Sequence, residues 1–373
     1  LAPIADAFRV SDATTGQLAT LTSLCAAAMA LAAAPWMERY ARRTWLRFEC
    51  VLLGSGTILS ALAPAFAWLV VGRALSGAGS AFIFATCLAA TGDLFADQRR
   101  RNWAVGLIGT GATLGAIGGL PVLTEIDARW GWRLAVGTLL PLAALVFVGV
   151  AWLPSPSRDP GSGARSRQGG YGIVLRDRPT LCLLAAMFGV NLVWFGWLVY
   201  FGAYAERGFD VGAHTLSLLF VTAGVAEIAA NNATPVLLTK RSPRVVIAVA
   251  VVVLAATLLE PQWGIGRAWT LFPFIALASF CCVTLFTVTN ILLLDALPAA
   301  RGTVMSLSSA GFDIGGALGA SIVGAGLAAF GQVPVDFALL AASLPLVLAF
   351  LFLGSTGLVQ RRTELVVEAA VRS

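Results

Sequence analysis

The amino-acid sequence predicts an all-α membrane protein made of two related bundles of six helices. Three observations predict this fold class. The 373 residues are 58% hydrophobic and only 12% charged, unlike a soluble domain. Apolar runs long enough to cross ~30 Å of hydrocarbon recur along the whole chain, without the alternation of barrel strands. The second half also repeats landmarks of the first half. Since only helices and closed barrels satisfy backbone groups in lipid, we expect helices throughout.

Eleven apolar runs of helical length follow one another along the chain. Their predicted limits are 15–35, 44–63, 66–91, 102–124, 132–153, 179–204, 213–238, 243–259, 268–294, 303–329 and 335–358. The first fifteen residues are predicted to lie on the outer side of the membrane. We therefore expect a further helix, absent from this sequence, to enter from the cytoplasm and complete a set of twelve.

The distribution of positive charge predicts which loops face the cytoplasm. Most of the 25 basic residues lie in the C-terminal tail and in the loops after residues 35, 91, 153, 238 and 294. The opposite side carries Arg9, Arg129, Arg133, Arg207 and Arg267. Cytoplasmic loops are enriched in Lys and Arg, so we place the first set in the cytoplasm and the chain in the cytoplasmic membrane. The net charge of +6 thus indicates orientation and not nucleic-acid binding.

Two sets of landmarks recur at a nearly constant distance along the chain. Pro35 and Pro235, 200 residues apart, each end a run and lead into a basic loop. Pairs 202 residues apart are Asp93 with Asp295, Arg99 with Arg301, and Gly109 with Gly311. Such pairs in register indicate duplicated halves. We predict an N-terminal bundle over 1–153, a Pro-, Gly-, Ser- and Arg-rich linker over 154–178, a C-terminal bundle over 179–358 and a cytoplasmic tail over 359–373.

Three motifs carry a family resemblance. The loop "APWMERYARR" matches a pattern of Gly, three residues, Asp-Arg, two residues and two Arg through Ala34, Glu38, Arg39, Arg42 and Arg43. Ala34 replaces the Gly of this pattern, and Glu38 replaces its Asp. "RALSGAG" holds a buried-arginine motif with Arg73 and Gly77. "GATLGAIGG" holds an antiporter-like motif with Gly111, Gly115, Gly118 and Gly119, although Ala116 replaces its Pro. Together these motifs resemble the major facilitator superfamily, above all its twelve-helix bacterial drug:proton antiporters.

The resemblance implies a secondary active transporter that works as a monomer by rocker-switch alternating access, without a cofactor. Proton-coupled efflux of small hydrophobic or aromatic compounds is the main interpretation, with substrate, protons and the lipid bilayer as partners and no nucleic acid. One alternative is a proton symporter that imports a small anion or a sugar. Another is a membrane sensor or scaffold that transports nothing. No nucleophile and base pair, metal-ligand cluster or phosphate loop predicts an enzyme.

The loop 35–43, which we call the gating loop, contains an acid within a basic run. Glu38 can pair with Arg39, Arg42 or a helix terminus, and such a pairing would hold the cytoplasmic side shut until it breaks. Asp93 is a further candidate, and Arg43 belongs to the same group. The alternative is a solvated loop whose charge only sets orientation.

Two carboxylates lie in the middle of predicted helices. Glu227 and Asp313 are costly when ionised in a membrane, which makes them candidates for proton coupling. The alternative is a structural acid bonded between helices. The small residues at 109, 111, 115, 118 and 119 predict a smooth helix face for close packing, with or without a sliding role.

The candidate substrate cavity combines one cation with polar and aromatic side chains. Arg73 lies inside a run, where a guanidinium must face protein or water unless it extends to the interface. Aromatic and polar residues at spacings of three and four share one helix face, which is either a cavity wall or ordinary core. The predicted cavity residues are Arg73, Asn191, Trp194, Phe201, Tyr204 and Asn231.

Overall fold

The computed structural model describes residues 4, 7–10, 12–152, 170–259, 268–330 and 333–372. All regular structure in these ranges is helical, which confirms the all-α prediction. Most of the predicted linker, residues 154–169, lies outside the described residues.

Fourteen α-helices are defined over the described ranges, and most of them lie on the predicted runs. They are α1 (Asp12–Ala33), α2 (Arg42–Ala61), α3 (Phe66–Ser80), α4 (Ile83–Leu94), α5 (Gln98–Trp130), α6 (Trp132–Gly137), α7 (Leu139–Gly149), α8 (Tyr171–Leu175), α9 (Arg178–Phe209), α10 (Ala213–Lys240), α11 (Pro243–Leu259), α12 (Leu271–Ala296), α13 (Arg301–Phe330) and α14 (Val333–Arg372).

Two predicted runs are interrupted, and one helix is longer than expected. The run 66–91 becomes α3 and α4, and the run 132–153 becomes α6 and α7. At the first break, the Ala81 carbonyl oxygen accepts a hydrogen bond from the Ser309 hydroxyl at 2.7 Å. This bond satisfies a backbone group near a helix end, as a membrane interior requires. The last helix continues to Arg372 and thereby includes most of the predicted tail.

Six helical segments of the described chain are long and apolar enough to cross a membrane. They are Phe66–Leu94, Trp132–Trp152, Arg178–Gly202, His214–Lys240, Ala268–Ala296 and Phe337–Leu358. Two shorter apolar helices cover Leu21–Trp36 and Pro243–Leu259. The other predicted runs, in α2, α5 and α13, are helical but carry more polar or small residues. Their polar groups recur in the candidate site.

The chain divides into two compact units that each take one segment from the opposite half of the sequence. The first unit contains Leu1–Leu94, Gly115–Ile173 and Ala299–Asp313. The second contains Phe95–Leu114, Val174–Pro298 and Ile314–Ser373. The beginnings of α5 and α13 are therefore the exchanged segments. Each unit consequently combines side chains from both halves of the sequence.

Small residues set the helix packing of the first unit. A Cβ added at Gly56 of α2 would lie 2.5 Å from the Ser76 backbone nitrogen of α3, and one added at Gly72 would lie 2.8 Å from that of Ser60. Helices in lipid associate through such close contacts. The backbones of α2 and α3 therefore lie in close contact.

The second unit is built around α9, α12 and α14. The same use of small residues brings α13 against α9: a Cβ at Gly315 would lie 2.5 Å from the Phe188 carbonyl oxygen, and one at Gly316 would lie 2.9 Å from the Phe195 ring. The part of α9 that carries Phe188 and Phe195 is thus packed against α13.

Candidate functional site

The gating loop folds into a partly buried group of charges within the first unit. The Glu38 carboxylate lies 3.0 Å from the Arg42 guanidinium, and Arg42 lies 3.0 Å from Asp93 at the end of α4. Arg42 also donates a hydrogen bond to the Met37 carbonyl oxygen at 2.8 Å. Glu38 and Arg42 are only 8% and 9% exposed. Each charge therefore depends on its partner, because an unpaired buried charge is strongly destabilising.

The start of α13 completes this group. Arg301 lies 3.3 Å from Asp93, and the backbone N–H groups of Gly302 and Thr303 donate to the Glu38 carboxylate. The first N–H groups of a helix have no partner inside it and carry partial positive charge. Glu38 therefore acts as an anionic cap for α13. We call Glu38, Arg42, Asp93 and Arg301 the charge cluster.

Gly302 is a position where the chain has no room for a side chain. An added Cβ would lie 2.9 Å from both Glu38 Oε1 and Met37 Cβ, and nearer still to an Arg42 nitrogen. Any larger residue would push the carboxylate away from the helix terminus that it caps.

The three arginines of the gating loop occupy different places. Arg42 forms the ion pair with Glu38. Arg39 lies over the Trp36 ring, 4.3 Å from its centroid, and Arg43 is half-buried at the start of α2. Of the partners considered from the sequence, the structure thus puts Arg42 and a helix terminus beside Glu38.

A corresponding ion pair lies in the second unit. Asp295, at the end of α12, pairs with Arg101 in the first turn of α5. The sequence repeat matches Arg99 with Arg301, the partner of Asp93, and therefore predicts that Arg99 pairs with Asp295. In the structure Arg101 is the partner of Asp295 instead, and Arg99 is exposed. The helix rotation of α5 decides which of the neighbouring arginines is turned toward Asp295. A constant sequence offset cannot show that rotation.

Polar side chains connect α5 and α10 inside the second unit. The Glu227 carboxylate is hydrogen-bonded to Thr113, and the Asn232 amide donates to the Thr110 hydroxyl at 3.0 Å. Both pairs lie well inside their helices. We call these four residues, with Asn231, the polar seam. Neither threonine stood out in the sequence, because hydroxyls are common in membrane helices.

Asn231 joins the seam to a third helix. It is 3% exposed, and its Oδ1 accepts a hydrogen bond from the Thr287 hydroxyl of α12 at 3.0 Å. On its other side, a Cβ added at Gly109 would lie 2.7 Å from Asn231 Cγ, and one at Gly106 would lie 3.3 Å from its carbonyl carbon. Asn231 is therefore held by packing and does not line open space in this structure.

The glycines of the antiporter-like motif are placed differently from the prediction. We expected a smooth face that packs closely against a neighbouring helix. The residues concerned are Gly111, Gly115, Gly118 and Gly119. A Cβ added at any of them would meet nothing within 4 Å, so this prediction was wrong for these four positions. The close contacts belong to Gly106 and Gly109, which precede these four glycines on α5.

The predicted cavity residues of α9 begin with a buried amide. Asn191 is fully buried, and its Nδ2 donates to the Met187 carbonyl oxygen at 2.8 Å, while its Oδ1 has no hydrogen-bond partner in the described structure. Trp194, one turn later, is half-buried and meets the Phe286 ring edge-on at 5.9 Å. These two residues combine polar and aromatic character in the middle of the helix.

The other two aromatic candidates belong to the packed core. Phe201 is fully buried and stacks on Phe274 of α12 at 5.7 Å, and Tyr204 packs edge-on against Phe337 of α14 at 5.5 Å. Their rings are closed off from open space, so the structure places them in core positions, which was the alternative considered for this helix face.

Arg73 and Asp313 are both half-buried on separate helices, α3 and α13. Within the described part of the chain, neither side chain forms an ion pair. Both residues belong to the first unit, whereas the polar seam belongs to the second. Their proposed roles stay predictions.

Glu49 is a buried acid that the sequence reasoning missed. It is fully buried on α2, and its carboxylate accepts a hydrogen bond from the Thr86 hydroxyl of α4 at 3.0 Å. Its second oxygen has no partner in the described structure. Glu49 lies seven residues after Arg42, and Thr86 seven before Asp93, so this contact continues the charge cluster two turns deeper. The signal available in the sequence was the acidic residue itself, which lies inside the apolar run 44–63.

Within the described residues, no group of three His, Cys, Asp or Glu side chains is close enough to hold a metal ion. The candidate site is therefore described by its ion pairs, hydrogen bonds and rings alone.

Comparison with known proteins gives one family and several relatives. Residues 1–271 match the family model of the Major Facilitator Superfamily. Multidrug resistance protein Stp of Mycobacterium tuberculosis is 32% identical over 124 residues, which cover 33% of this chain and 23% of that protein. A chloramphenicol efflux pump of the same organism is 31% identical over 146 residues, covering 39% and 35%. The aligned segments thus span about a quarter to a third of these relatives.

A solved structure resembles the chain over most of its length. The Escherichia coli fucose:proton symporter FucP has a TM-score of 0.74 and 16% sequence identity, and the match covers 91% of this chain and 90% of that one. At this identity the likeness concerns the fold.

Proposed function

The chain belongs to the major facilitator superfamily, and on this premise we propose that it exports small hydrophobic or aromatic compounds in exchange for protons. It is a multi-pass protein of the cell membrane with the helical fold of this transporter family. Export would proceed by alternating access, in which a site near the midplane opens to one side at a time.

The observation that carries the direction of transport is the similarity to efflux proteins. Both relatives described above are named for resistance or efflux and share about a third of their aligned residues with this chain. Their aligned segments cover a minority of either protein, so direction and substrate are proposals for this chain. Chloramphenicol is an aromatic compound, and the half-buried Trp194 beside Phe286 suits an aromatic substrate.

The polar seam supports proton coupling. Glu227 is half-buried in the middle of α10, and no cationic side chain forms an ion pair with it in the described structure. An ionised carboxylate is costly at this depth of a membrane, whereas a protonated one can donate to a neighbouring oxygen. The hydrogen bond with Thr113 provides such a neighbour. Gain and loss of a proton at Glu227 would then accompany substrate exchange.

The charge cluster supports a gating role for the loop 35–43. It combines three ion pairs and a helix cap in one group, of which Glu38 and Arg42 are buried. Opening of the cytoplasmic side would have to break these contacts together. A group of coupled charges that is fully paired in one state and disrupted in another is suited to a two-state switch.

The test is proton movement in liposomes that contain the full-length protein. The vesicles are loaded with a pH-sensitive dye and challenged with chloramphenicol, lipophilic cations, organic anions and sugars, for wild type and for Glu227→Gln. Glu125→Gln is the matched control, because Glu125 is an exposed acid paired with Arg129 on α5. We expect substrate-driven proton movement opposite to the substrate, lost in Glu227→Gln and kept in Glu125→Gln.

Other outcomes would change the proposal. Proton movement in the same direction as a sugar or an anion would establish import, and the half-buried Arg73 would then be the candidate anion partner. Unchanged exchange in Glu227→Gln would remove this residue from the coupling mechanism. Silence across the panel, with binding retained, would favour a sensor or scaffold.

A further inference from the structure

A cavity of about 590 Å³ lies within the second unit, at the cytoplasmic ends of its helices. The first turns of α5 and α11, the last turns of α10 and α12 and a part of α14 line it. These segments carry the predicted cytoplasmic loops after residues 91, 238 and 294. The cavity is separate from the polar seam, which lies deeper between α5 and α10.

Two arginines of the cavity wall have no acidic partner among the residues that the structure describes. Arg99 and Arg244 both line the cavity, and neither forms an ion pair in the described part of the chain. The two acids of the wall are engaged elsewhere. Asp97 accepts a hydrogen bond from the Arg100 backbone N–H at 2.8 Å, and Asp295 is paired with Arg101.

Two helix N-termini add to this positive character. α5 begins at Gln98 and α11 at Pro243, and both residues line the cavity. With 33 and 17 residues, both helices are long enough to have a substantial dipole. The positive end of a helix dipole favours an anion at such a terminus. At α5 the Asp97 carboxylate already accepts from one of the first N–H groups, so the α11 terminus is the one left to a ligand.

Asn102 provides an independent sign of a ligand. It lines the cavity, is 5% exposed, and its buried Oδ1 has no hydrogen-bond partner in the described structure. Leaving a buried polar atom unpaired costs free energy. A ligand that brings a hydroxyl or another donor into the cavity would satisfy it.

The rest of the wall is apolar. Leu238, Val288, Ile291, Leu292 and Leu358 form this part. An anion with an apolar extension matches such a surface better than a small hydrophilic anion does. Basic pockets between transmembrane helices on the cytoplasmic side are suited to lipid head groups.

We propose that this cavity binds a phosphate-bearing anion, namely the head group of an anionic glycerophospholipid of the cytoplasmic leaflet. Arg99, Arg244 and the N-terminus of α11 would contact the phosphate, Asn102 would accept from a head-group hydroxyl, and the apolar wall would contact the start of the acyl chains. Bound lipid would join the beginnings of α5 and α11 to the ends of α10 and α12. The proposal concerns binding and is independent of the direction of transport.

The test is lipid-dependent thermal stability of the full chain in neutral detergent. Unfolding is followed by tryptophan fluorescence while phosphatidylglycerol, phosphatidylcholine or inorganic phosphate is titrated. The variant Arg99→Gln/Arg244→Gln removes the two cavity charges. The matched control is Lys240→Gln/Arg241→Gln, which removes equal charge from the same region outside the cavity wall. Asn102→Leu alters the wall without changing charge.

We expect phosphatidylglycerol to raise the unfolding temperature more than phosphatidylcholine does. The apparent dissociation constant should rise about 30-fold in Arg99→Gln/Arg244→Gln, stay near the wild-type value in the control, and rise measurably in Asn102→Leu. Stabilisation by inorganic phosphate with the same variant pattern would support the phosphate site but identify free phosphate as its source. Equal weakening by the control variant, or equal effects of both lipids with no response to phosphate, would overturn the proposal.

Discussion

Gly109 and Gly115 are chemically identical residues of α5 with opposite surroundings. A Cβ at Gly109 would lie 2.7 Å from Asn231 Cγ, whereas one at Gly115 would meet nothing within 4 Å. Forcing a methyl group into a packed contact costs about 1–3 kcal/mol. Gly109→Ala should therefore lower the free energy of unfolding by about this amount, while Gly115→Ala should leave it unchanged or raise it. Thermal unfolding in detergent measures both, and equal effects would contradict the packing described for the seam.

Glu49 allows a second prediction about a single residue. Among the described residues its carboxylate accepts from one hydroxyl donor, Thr86, and forms no ion pair, which suits a neutral hydrogen-bonding group more than an ionised one. Glu49→Gln should therefore fold with nearly wild-type stability. Glu49→Ala should lose about 2–4 kcal/mol, because it leaves a cavity and an unpaired Thr86 hydroxyl. Thermal unfolding of the two variants distinguishes these cases. A loss as large for Gln as for Ala would show that the negative charge itself is required.

At the scale of the element, the start of α13 depends on a side chain that comes from the other half of the sequence. Glu38 accepts hydrogen bonds from the Gly302 and Thr303 N–H groups while it is paired with Arg42. A helix start is normally capped by a nearby residue of its own chain segment. This helix start is therefore stable only while the gating loop holds its present position.

Glu38→Gln should loosen this helix start. The variant keeps the shape of the side chain but removes the charge that pairs with Arg42, and breaking a buried pair is strongly destabilising, by about 3–5 kcal/mol at most. We expect faster amide hydrogen exchange over residues 302–306, measured by mass spectrometry.

Asp97→Asn provides the control for that experiment. Asp97 caps the first turn of α5 in the second unit by accepting from the Arg100 N–H, so its effect should be confined to residues 98–102. If Glu38→Gln left exchange over 302–306 unchanged, Glu38 would not be the cap of α13.

At the scale of the whole molecule, each unit has an ion pair between an aspartate and an arginine at its exchanged segment. The first unit pairs Asp93 with Arg301 at the start of α13, and the second pairs Asp295 with Arg101 at the start of α5. If the protein alternates between two global states, both helix starts must loosen in the same transition.

Asp93→Asn therefore has an expected effect in both units. Removal of this carboxylate should raise hydrogen exchange at residues 301–306 and also at residues 98–104, since a change in a two-state equilibrium is shared by all segments that differ between the states. Asp295→Asn should produce the same pattern. Exchange that rises only beside the substituted residue would indicate local fraying and would argue against a concerted transition.

The sequence by itself determined the class of the molecule, the course of its helices and its family. Hydrophobic length and the placement of Lys and Arg act locally along the chain, so the limits of the runs and the cytoplasmic loops can be read without knowledge of neighbours. The motifs in the gating loop, α3 and α5 indicated the superfamily for the same reason. The repeat also located the two aspartates that end α4 and α12.

Only the tertiary structure decided which side chains meet. Each residue turns about 100° around a helix axis, so the choice of Arg101 over Arg99, or of Gly109 over Gly115, depends on helix rotation and on the identity of the neighbouring helix. The same holds for the contact of Glu49 with Thr86 and for the packing of aromatic rings around Phe201. These contacts join residues far apart in the sequence, and the packing of the complete helices sets their geometry.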